Sequence, residues 1–258
     1  FMQKNINNFF NKNASFYKNK YFSKNKFHNY FFNSRSKIVL EFFYKNKLNN
    51  FENVLDIGSG NGFYYDLMTK EKNINFKTYT GTDPSKEMLK ISNIPLQFKY
   101  NKKVWEIDFK GNKFQLIFLI GVSTYINEKE LFDNLNFIVK YMKTNSYFIV
   151  TLNNKYSLDL IMRRFFKFLL SPFIGQETKD KYVLFSVDKI NIHNHKKIIN
   201  YLNKYNINLI QKKPHNFSYF PLNYIFPNLI YPIHKIMKKL GFLFFLTSSD
   251  TVYFFKKY

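Results

Sequence analysis

Residues 54–62 (VLDIGSGNG) decide the fold of this 258-residue chain. A short apolar run that ends at Ile57 is followed by three glycines at alternating positions, although the whole chain has only 8 glycines. The run predicts a buried strand, and residues 61–70 are expected to form a helix. Glycine is used where the backbone turns with a positive φ angle or lets a ligand approach closely. We therefore expect a ligand beside the backbone N–H groups of this turn, the alternative being a simple turn.

Strands and helices alternate along the middle of the chain. The continuous apolar run at residues 115–120 is typical of a strand buried on both faces of a sheet. The expected strands are 53–57, 77–82, 95–100, 115–120, 146–152, 208–212 and 250–255. The expected helices are 35–45, 61–70, 84–92, 128–143, 155–170 and 195–205. Strands that alternate with helices form parallel βαβ units, so the sequence predicts an α/β fold with a doubly wound sheet.

The two ends of the chain differ from this regular middle part. Residues 1–33 mix aromatic residues, asparagine and lysine without clean periodicity, and we treat residues 1–45 as an N-terminal segment. Residues 46–258 are expected to form one domain with an aromatic, basic insertion at about residues 213–249. Aromatic residues beside Lys235, Lys238 and Lys239 suit an apolar pocket, a membrane interface or stacked RNA bases, and core packing is the alternative.

The charge of the chain narrows the choice of partners. The formal net charge is +23, and the excess of lysine and arginine lies mainly in residues 1–50 and 153–258, whereas residues 51–152 are nearly neutral. Basic flanks of this kind suit nucleic acid, an anionic membrane surface or an acidic substrate. The alternative is a coding bias toward lysine, asparagine and aromatic residues, in which case the charges are only solvated.

Some classes of protein are excluded by residues that the sequence lacks. It has no cysteine, which excludes disulfides, thiolate metal sites and cysteine nucleophiles. Of the 5 histidines only His193 and His195 lie close together, so no metal site is expected. No stretch approaches the roughly 20 consecutive apolar residues of a membrane span, and the N-terminus does not resemble a signal peptide. We therefore expect a cytoplasmic protein, or one that binds a membrane peripherally.

Two motifs have the types and spacing of residues that a nucleoside site needs. The first runs from Asp56 to Gly62 as D-x-G-x-G-x-G, and the second ends the next expected strand at residues 81–85 (GTDPS). Together they resemble the first two motifs of the class I S-adenosylmethionine-dependent methyltransferases, in particular those that act on small molecules. The resemblance covers about residues 10–212 and 250–256. It implies a Rossmann-like sheet with helices on both faces, mostly parallel with an antiparallel last strand, and S-adenosylmethionine as the cofactor.

The resemblance also implies which residues bind this cofactor. Asp83 would bind both ribose hydroxyls, because a carboxylate can accept two hydrogen bonds from a vicinal diol; a helix cap is the alternative. Glu106 or Asp108 would lie near the amino group of adenine. The other residues that the resemblance places at the cofactor are Asp56, Gly58, Ser59, Gly60, Gly62, Pro84, Met88, Ile120 and Gly121.

Residues 10–21 and Arg35 resemble the N-terminal lid that is common in small-molecule methyltransferases. In that lid a tyrosine, here Tyr17 or Tyr21, and a basic residue, here Arg35, approach the methionine end of the cofactor. The alternative is an aromatic staple and a solvated arginine.

The sequence excludes some classes of methyl acceptor. Residues 121–124 (GVST) stand where enzymes that methylate the amino groups of bases carry [DN]-P-P-[YF], and methylation of cytosine C5 needs a cysteine. We therefore expect a hydroxyl or amine of a small, hydrophobic or lipid-precursor acceptor. An RNA methyltransferase that acts on ribose or base, and a catalytically silent cofactor-binding protein, are the alternatives. The general base is unknown; Tyr125, His193 and His195 are candidates, although a helix cap and a surface residue would also explain the histidines.

Overall fold

The structure is a computed structural model that describes residues 2–20, 26–173, 190–216, 218–219 and 222–258. Strands β1 to β7 of these residues span Asn50–Ile57, Asn75–Thr82, Lys99–Tyr100, Phe114–Leu119, Met142–Asn153, Ile207–His215 and Asp250–Lys257. Helices α1 to α10 of these residues span Met2–Lys20, Lys26–Lys45, Phe63–Lys70, Lys86–Lys90, Glu128–Tyr141, Leu158–Leu170, His195–Asn203, Leu222–Ile225, Pro227–Lys239 and Phe242–Thr247.

The strands form one sheet in the order β3-β2-β1-β4-β5-β7-β6. Strands β1 to β5 run parallel to one another, whereas β7 is antiparallel to both β5 and β6. The predicted Rossmann-like α/β sheet, mostly parallel with an antiparallel last strand, is confirmed. The chain places β2 and β3 on one side of β1, and β4 and the later strands on the other side. The carboxyl ends of β1 and β4 therefore flank the crevice in which doubly wound sheets bind their ligands.

Apolar residues alternate between the two faces of the central strands. In β4, Leu116 and Phe118 pack with α2 and α3, while Ile117 and Leu119 pack with α5 and α7 on the opposite face. All four side chains are fully buried. The prediction that residues 115–120 form a strand covered on both faces is confirmed, with the boundaries one residue earlier.

Local chemistry moves several boundaries from their predicted positions. Helix α3 begins two residues later than predicted, because Gly62 adopts a left-handed conformation with a φ angle of 75°. Helix α4 also begins two residues later, because Ser85 is its N-cap and accepts a hydrogen bond from the amide of Met88. The strand expected at residues 95–100 is reduced to the two residues of β3. Pro95 precedes a 3₁₀ turn there, and a proline has no N–H to donate to a ladder.

The N-terminal region differs most from the prediction. Helix α1 and the first part of α2 occupy residues for which the sequence showed no clean periodicity. Helix α1 packs against α4 and α2, and such packing stabilises a helix whose own pattern is weak. Strand β6 extends to His215, so the predicted insertion starts after it and contains α8, α9 and α10.

Among the described residues, no helix is both long enough and apolar enough to cross a bilayer. The longest, α2, has 20 residues but a balanced mixture of polar and apolar side chains.

Candidate cofactor and active site

The glycine loop, residues 58–62, lies at the carboxyl end of β1 and is tied to the end of β2. The amides of Gly58 and Ser59 donate to the carbonyl oxygen of Thr82, at 2.7 and 3.0 Å. The amide of Gly60 donates to Oδ2 of Asp83 at 2.9 Å. The sequence had suggested that these amides face a ligand, but the structure uses them to join the loop to β2. The loop is therefore positioned by its amides, which join the end of β1 to the end of β2.

Glycine is required in this loop for two reasons. Gly58 and Gly60 both have positive φ angles, 70° and 54°, which L-residues with a side chain rarely adopt. In addition, a Cβ atom at Gly58 would lie 2.3 Å from Cγ2 of Val122, and one at Gly60 would lie 3.1 Å from Cε of Met88. The first contact is with a stiff β-branched side chain, whereas the second is with the end of a flexible one. A side chain at residue 58 is therefore more disruptive than one at residue 60.

Asp83 is the half-buried carboxylate at the end of β2. Its Oδ2 accepts from Gly60, and its Oδ1 accepts from the amide of Ser85 at 2.7 Å. Burial raises the pKa of Asp83 to about 6, and the two backbone donors oppose that rise. A carboxylate has about four lone-pair sites, so both oxygens keep the capacity to accept a ribose hydroxyl. Ser85, and not Asp83, accepts the capping hydrogen bond of α4, which weakens the alternative that Asp83 is only a cap.

The side chains of Asp56 and Ser59 are buried beside the loop. The carboxyl group of Asp56 is buried and accepts a hydrogen bond from the Tyr79 hydroxyl at 2.7 Å. Burial raises the pKa of Asp56 to about 7; the hydrogen bond from Tyr79 opposes this rise and the charge of Asp83 adds to it. The Ser59 hydroxyl lies 2.8 Å from the position of a Cβ on Gly81. The Asp56 carboxyl group is therefore placed to hold β1 against β2, whereas the buried Ser59 hydroxyl has no hydrogen-bond partner among the described residues.

Gly121 and Arg35 mark the other side of the crevice, at the end of β4. The amide of Gly121 donates to Oγ1 of Thr151 at 2.7 Å, and its φ angle is 75°. Nη1 of Arg35, from α2, lies 2.6 Å from where a Cβ on Gly121 would stand. The guanidinium group thus approaches the backbone directly, which only a glycine at this position permits. Ile120 precedes Gly121 and is half-buried.

Helix α1 connects the two sides of this crevice. Oδ1 of Asn11 accepts hydrogen bonds from Oγ of Ser85 at 2.7 Å and from the amide of Glu87 at 3.2 Å. The neighbouring ring of Phe10 lies edge-on to Tyr125, with ring centroids 5.0 Å apart. One helix therefore contacts both α4, which follows β2, and the turn that follows β4. The sequence indicated a lid here but did not single out Asn11.

The side chains of the two predicted lid tyrosines lie outside the described part of the molecule. Tyr17 lies on α1, but its side chain is outside the described part of the molecule, and Tyr21 is outside the described residues altogether.

Pro84 is exposed between Asp83 and the start of α4, and the Met88 side chain is buried against the loop.

The two acids predicted near adenine lie apart from each other. Glu106 is exposed in a 3₁₀ turn, where it accepts from the amide of Lys103 at 3.1 Å. Lys103 in turn forms an ion pair with Glu130 in the first turn of α5, which places Glu106 near the carboxyl edge of the sheet. Asp108 instead accepts from the hydroxyl of Tyr141 at the opposite end of α5. That helix is about 20 Å long, so the structure does not bring Asp108 to the glycine loop.

The three candidate bases lie near the ends of β4 and β5. Nε2 of His193 lies 2.9 Å from the Ser123 carbonyl oxygen. Nε2 of His195 lies 2.9 Å from the Asn153 carbonyl oxygen, and Nδ1 lies 2.8 Å from the Tyr253 hydroxyl. A carbonyl only accepts, so Nε2 of His195 carries the hydrogen and Nδ1 accepts from Tyr253. Burial lowers the pKa of His195. Tyr125 is half-buried against α1.

A buried ionic cluster that the sequence did not reveal lies beside Arg35. His215, the last residue of β6, places Nε2 3.3 Å from Oδ2 of Asp250, the first residue of β7. Burial raises the pKa of Asp250, but His215 and Arg35 outweigh it, so the pKa falls below its usual value. Burial lowers the pKa of His215. The sequence could have indicated this pair, because the two residues that flank an insertion between paired strands lie opposite each other in the sheet.

These features define a doubly wound protein with a glycine loop and a carboxylate at the switch point of the sheet. A family profile described as a methyltransferase domain matches residues 25–212. The chain belongs to this methyltransferase family, whose cofactor is S-adenosylmethionine. No curated protein sequence matches the chain significantly.

Several solved structures share the fold. Magnesium protoporphyrin IX methyltransferase from Synechocystis PCC 6803, with bound S-adenosylhomocysteine, has a TM-score of 0.63 at 10% identity, with 100% of each chain covered. A SAM-dependent methyltransferase from Archaeoglobus fulgidus has a TM-score of 0.56 at 17% identity, covering 94% of this chain and 98% of that one. The N-methyltransferase NodS from Bradyrhizobium japonicum WM9 has a TM-score of 0.52 at 11% identity, covering 91% and 89%. At these identities the similarity establishes the fold alone.

Proposed function

We propose that the protein transfers a methyl group from S-adenosylmethionine to a hydroxyl or amine of a small, hydrophobic or lipid-precursor acceptor. The observation that carries the proposal is the bond between the bare loop and the acid: Gly60 is tied to Asp83 at 2.9 Å, at the carboxyl ends of β1 and β2. This arrangement combines close backbone approach with a carboxylate that has acceptor capacity left, which is what the nucleoside end of the cofactor requires.

The remaining residues of the crevice fit the other parts of the cofactor. We assign the ribose hydroxyls to Asp83 and the adenine to the region of Pro84, Met88, Ile120 and Glu106. The glycine loop, residues 58–62, would lie along the chain that joins ribose to sulfur. Arg35, held beside Gly121, supplies the positive charge for the methionine carboxylate. When it is bound, the cofactor supplies an electrophilic methyl group on a sulfonium.

Residues 1–45 act in this proposal as the lid of the site. Methyl transfer is an in-line displacement, so it needs the two reactants aligned and water excluded. Helix α1 can serve both needs, because Asn11 bonds to the start of α4 and Phe10 packs on Tyr125. A hydroxyl acceptor must also lose a proton. Tyr125 is the best-placed candidate base beside the lid, whereas both ring nitrogens of His195 are already in hydrogen bonds.

The hydrophobic character of the acceptor is supported by the insertion after β6, residues 216–249. Its helices follow β6 and rejoin the sheet at β7, next to Asp250 and Arg35. They expose large apolar side chains, as a cap over an apolar acceptor would. The basic flanks favour RNA as the second candidate, because phosphate contacts are made by lysine and arginine.

The test is label transfer from S-adenosylmethionine carrying an isotopic methyl group. The protein is incubated with a cell extract that is then divided into lipid, small-molecule and RNA fractions. We expect label in the organic-soluble fraction. Label in RNA, together with a steep loss of RNA binding as salt rises, would establish the second candidate instead. Calorimetric binding of S-adenosylhomocysteine without label in any fraction would show a catalytically silent cofactor-binding protein.

A further inference from the structure

Most of the large apolar side chains that the described residues expose lie in two short segments. The first is α6 with the turn after it, residues 158–173, and the second is the group α8 to α10, residues 222–247. Exposed side chains of the first segment include Ile161, Phe165, Phe168, Leu169, Leu170 and Phe173. Those of the second include Ile225, Phe226, Leu229, Ile236, Leu240 and Leu243. Phe168 is 78% exposed and Phe173 is 86% exposed, which is unusual for phenylalanine in a folded chain.

The net charge of each segment is positive. The one acid in residues 158–173 is Asp159, and it is neutralised by Arg163 at 2.6 Å. Residues 222–247 contain no acid, but they carry Lys235, Lys238 and Lys239. Both α6 and α9 are strongly amphipathic. An amphipathic helix with lysine or arginine on its polar side and phenylalanine or leucine on the other is typical of an element that lies in a membrane interface.

Residues that flank the two segments meet at the edge of the sheet that holds the glycine loop. The amide of Asn154, just before α6, donates to the Ser249 carbonyl oxygen at 2.9 Å. Its side chain donates to the Ser248 carbonyl oxygen, also at 2.9 Å. Ser248 and Ser249 directly follow α10 and lead into β7. The start of α6 and the end of the insertion are thus joined at the carboxyl end of β5, on the same edge as the glycine loop.

We infer that residues 158–173 and 222–247 form a docking surface for an anionic phospholipid membrane. The apolar side chains enter the boundary between headgroups and acyl chains, and the lysines and arginines contact the phosphates. Arg164, Lys167 and Phe168 line one open concavity on α6, where two positively charged side chains adjoin an apolar wall. Helix α6 has 13 residues, about 20 Å, which is too short to cross a bilayer but sufficient to lie along it.

Docking in this orientation turns the carboxyl edge of the sheet, and the crevice with it, toward the membrane. An acceptor dissolved in the bilayer then reaches the site without crossing water. This second step rests on the proposed function, whereas the docking itself does not, so the two can fail separately.

The test is co-sedimentation with vesicles of phosphatidylcholine alone and with roughly one-third phosphatidylglycerol. We expect binding to the anionic vesicles, and little to the neutral ones. The double variant Phe168→Ser/Phe173→Ser should bind at least about 10-fold more weakly, because two apolar groups no longer insert. The control is Leu96→Ser, which removes a side chain that is 83% exposed but lies outside both segments. It should bind as the unchanged protein does.

The electrostatic part is tested with Arg164→Gln/Lys239→Gln, for which we expect roughly 5-fold weaker binding per charge removed. The matched control, Lys45→Gln/Lys113→Gln, removes two exposed charges at the opposite edge of the sheet, where α2 ends and β4 begins. Calorimetric affinity for S-adenosylhomocysteine should be the same in all variants, which shows that they are folded and separates docking from cofactor binding.

Three results would overturn the inference. One is the absence of binding to anionic vesicles, and another is equal weakening by test and control variants. The third is evidence that the surface binds a different partner. In that case Phe168→Ser/Phe173→Ser would abolish self-association, measured by light scattering, or RNA binding, while vesicle binding stays unchanged. Failure of methyl transfer to a lipid acceptor, with vesicle binding intact, would contradict the proposed acceptor alone.

Discussion

The amide of Gly60 donates a hydrogen bond to Oδ2 of Asp83 across 2.9 Å, and this bond joins the two sequence motifs of the cofactor site. The residues lie 23 positions apart in the chain but at the ends of adjacent parallel strands. The hydrogen bond therefore positions the loop and the acid relative to each other. A substitution at either residue should disturb both the binding of ribose and the path of the backbone.

Asp83→Ala should weaken cofactor binding. The change removes charge-assisted hydrogen bonds to the ribose and the acceptor for Gly60, so we expect a loss of roughly 1–3 kcal/mol, or about 5- to 150-fold in affinity. Titration calorimetry with S-adenosylhomocysteine measures it directly. The control is Asp133→Ala on α5, which removes a carboxylate away from both motifs. Equal affinity in the two variants would show that Asp83 does not bind the ribose.

Gly58→Ala should lower the stability of the fold by more than the addition of one methyl group normally does. The new methyl group would lie 2.3 Å from Cγ2 of Val122, and the φ angle of 70° is unfavourable for alanine. Gly111 has a φ angle of 79°, but a Cβ atom at this position would meet nothing within 4 Å, so Gly111→Ala carries the backbone strain without the clash. The difference in melting temperature between the two variants isolates the clash.

A second variant tests the cause of that difference. Val122→Ala, made in the Gly58→Ala background, removes the side chain that the new methyl group meets and should restore part of the lost stability and cofactor affinity. If Gly111→Ala proves as destabilising as Gly58→Ala, or if Val122→Ala gives no recovery, then packing against Val122 is not the reason for glycine at this position.

The pKa of Asp56 has a consequence for stability that depends on pH. Burial raises this pKa from 3.8 to about 7, so the folded chain binds more protons than the unfolded chain between those two values. Stability from this group is therefore present at low pH and is lost as pH rises through that window. Asp56→Asn keeps an acceptor for Tyr79 and removes the charge. It should raise stability at pH 8 by roughly 1–3 kcal/mol, after the cost of its unpaired amide hydrogens.

The same substitution should give a much smaller gain at about pH 5, because only the lower part of the window between 3.8 and about 7 lies below that pH. Chemical denaturation at both pH values is the measurement, and the comparison within one variant serves as the control. An equal gain at both values would mean that the substitution acts through packing and not through the charge.

The sequence predicted the sheet, the cofactor motifs and the general place of the site, because these depend on local patterns. The run at residues 115–120 and the glycine cluster at residues 58–62 each carry their own signal. The roles of the loop amides did not follow from the sequence, because their partner, the end of β2, is set by the pairing of strands. Asn11 was missed for the same reason: its two hydrogen bonds reach residues more than 70 positions away.

The position of Asp108 depends on a contact that is distant in the sequence. Glu106 or Asp108 was expected near adenine, and the structure places Asp108 beside Tyr141, at the end of α5 that is remote from the glycine loop. The residues of the pair His215–Asp250 are also remote in sequence, and yet they are neighbours in register. An insertion between two paired strands brings its flanking residues together, whatever its own structure.

Asn11→Ala tests whether α1 acts as a lid. The substitution removes the acceptor for the Ser85 hydroxyl and the Glu87 amide, while the helix keeps its other contacts. Two lost hydrogen bonds, at about 1 kcal/mol each, should speed dissociation of S-adenosylhomocysteine roughly 5- to 30-fold, with a smaller effect on association. Stopped-flow fluorescence gives both rates. Asn13→Ala is the matched control, because the bond of Asn13 that the described residues show is to the Phe9 carbonyl within the same helix. If both asparagine variants release the ligand at the rate of the unchanged protein, the contact between α1 and α4 does not retain the cofactor, and α1 has a structural role alone.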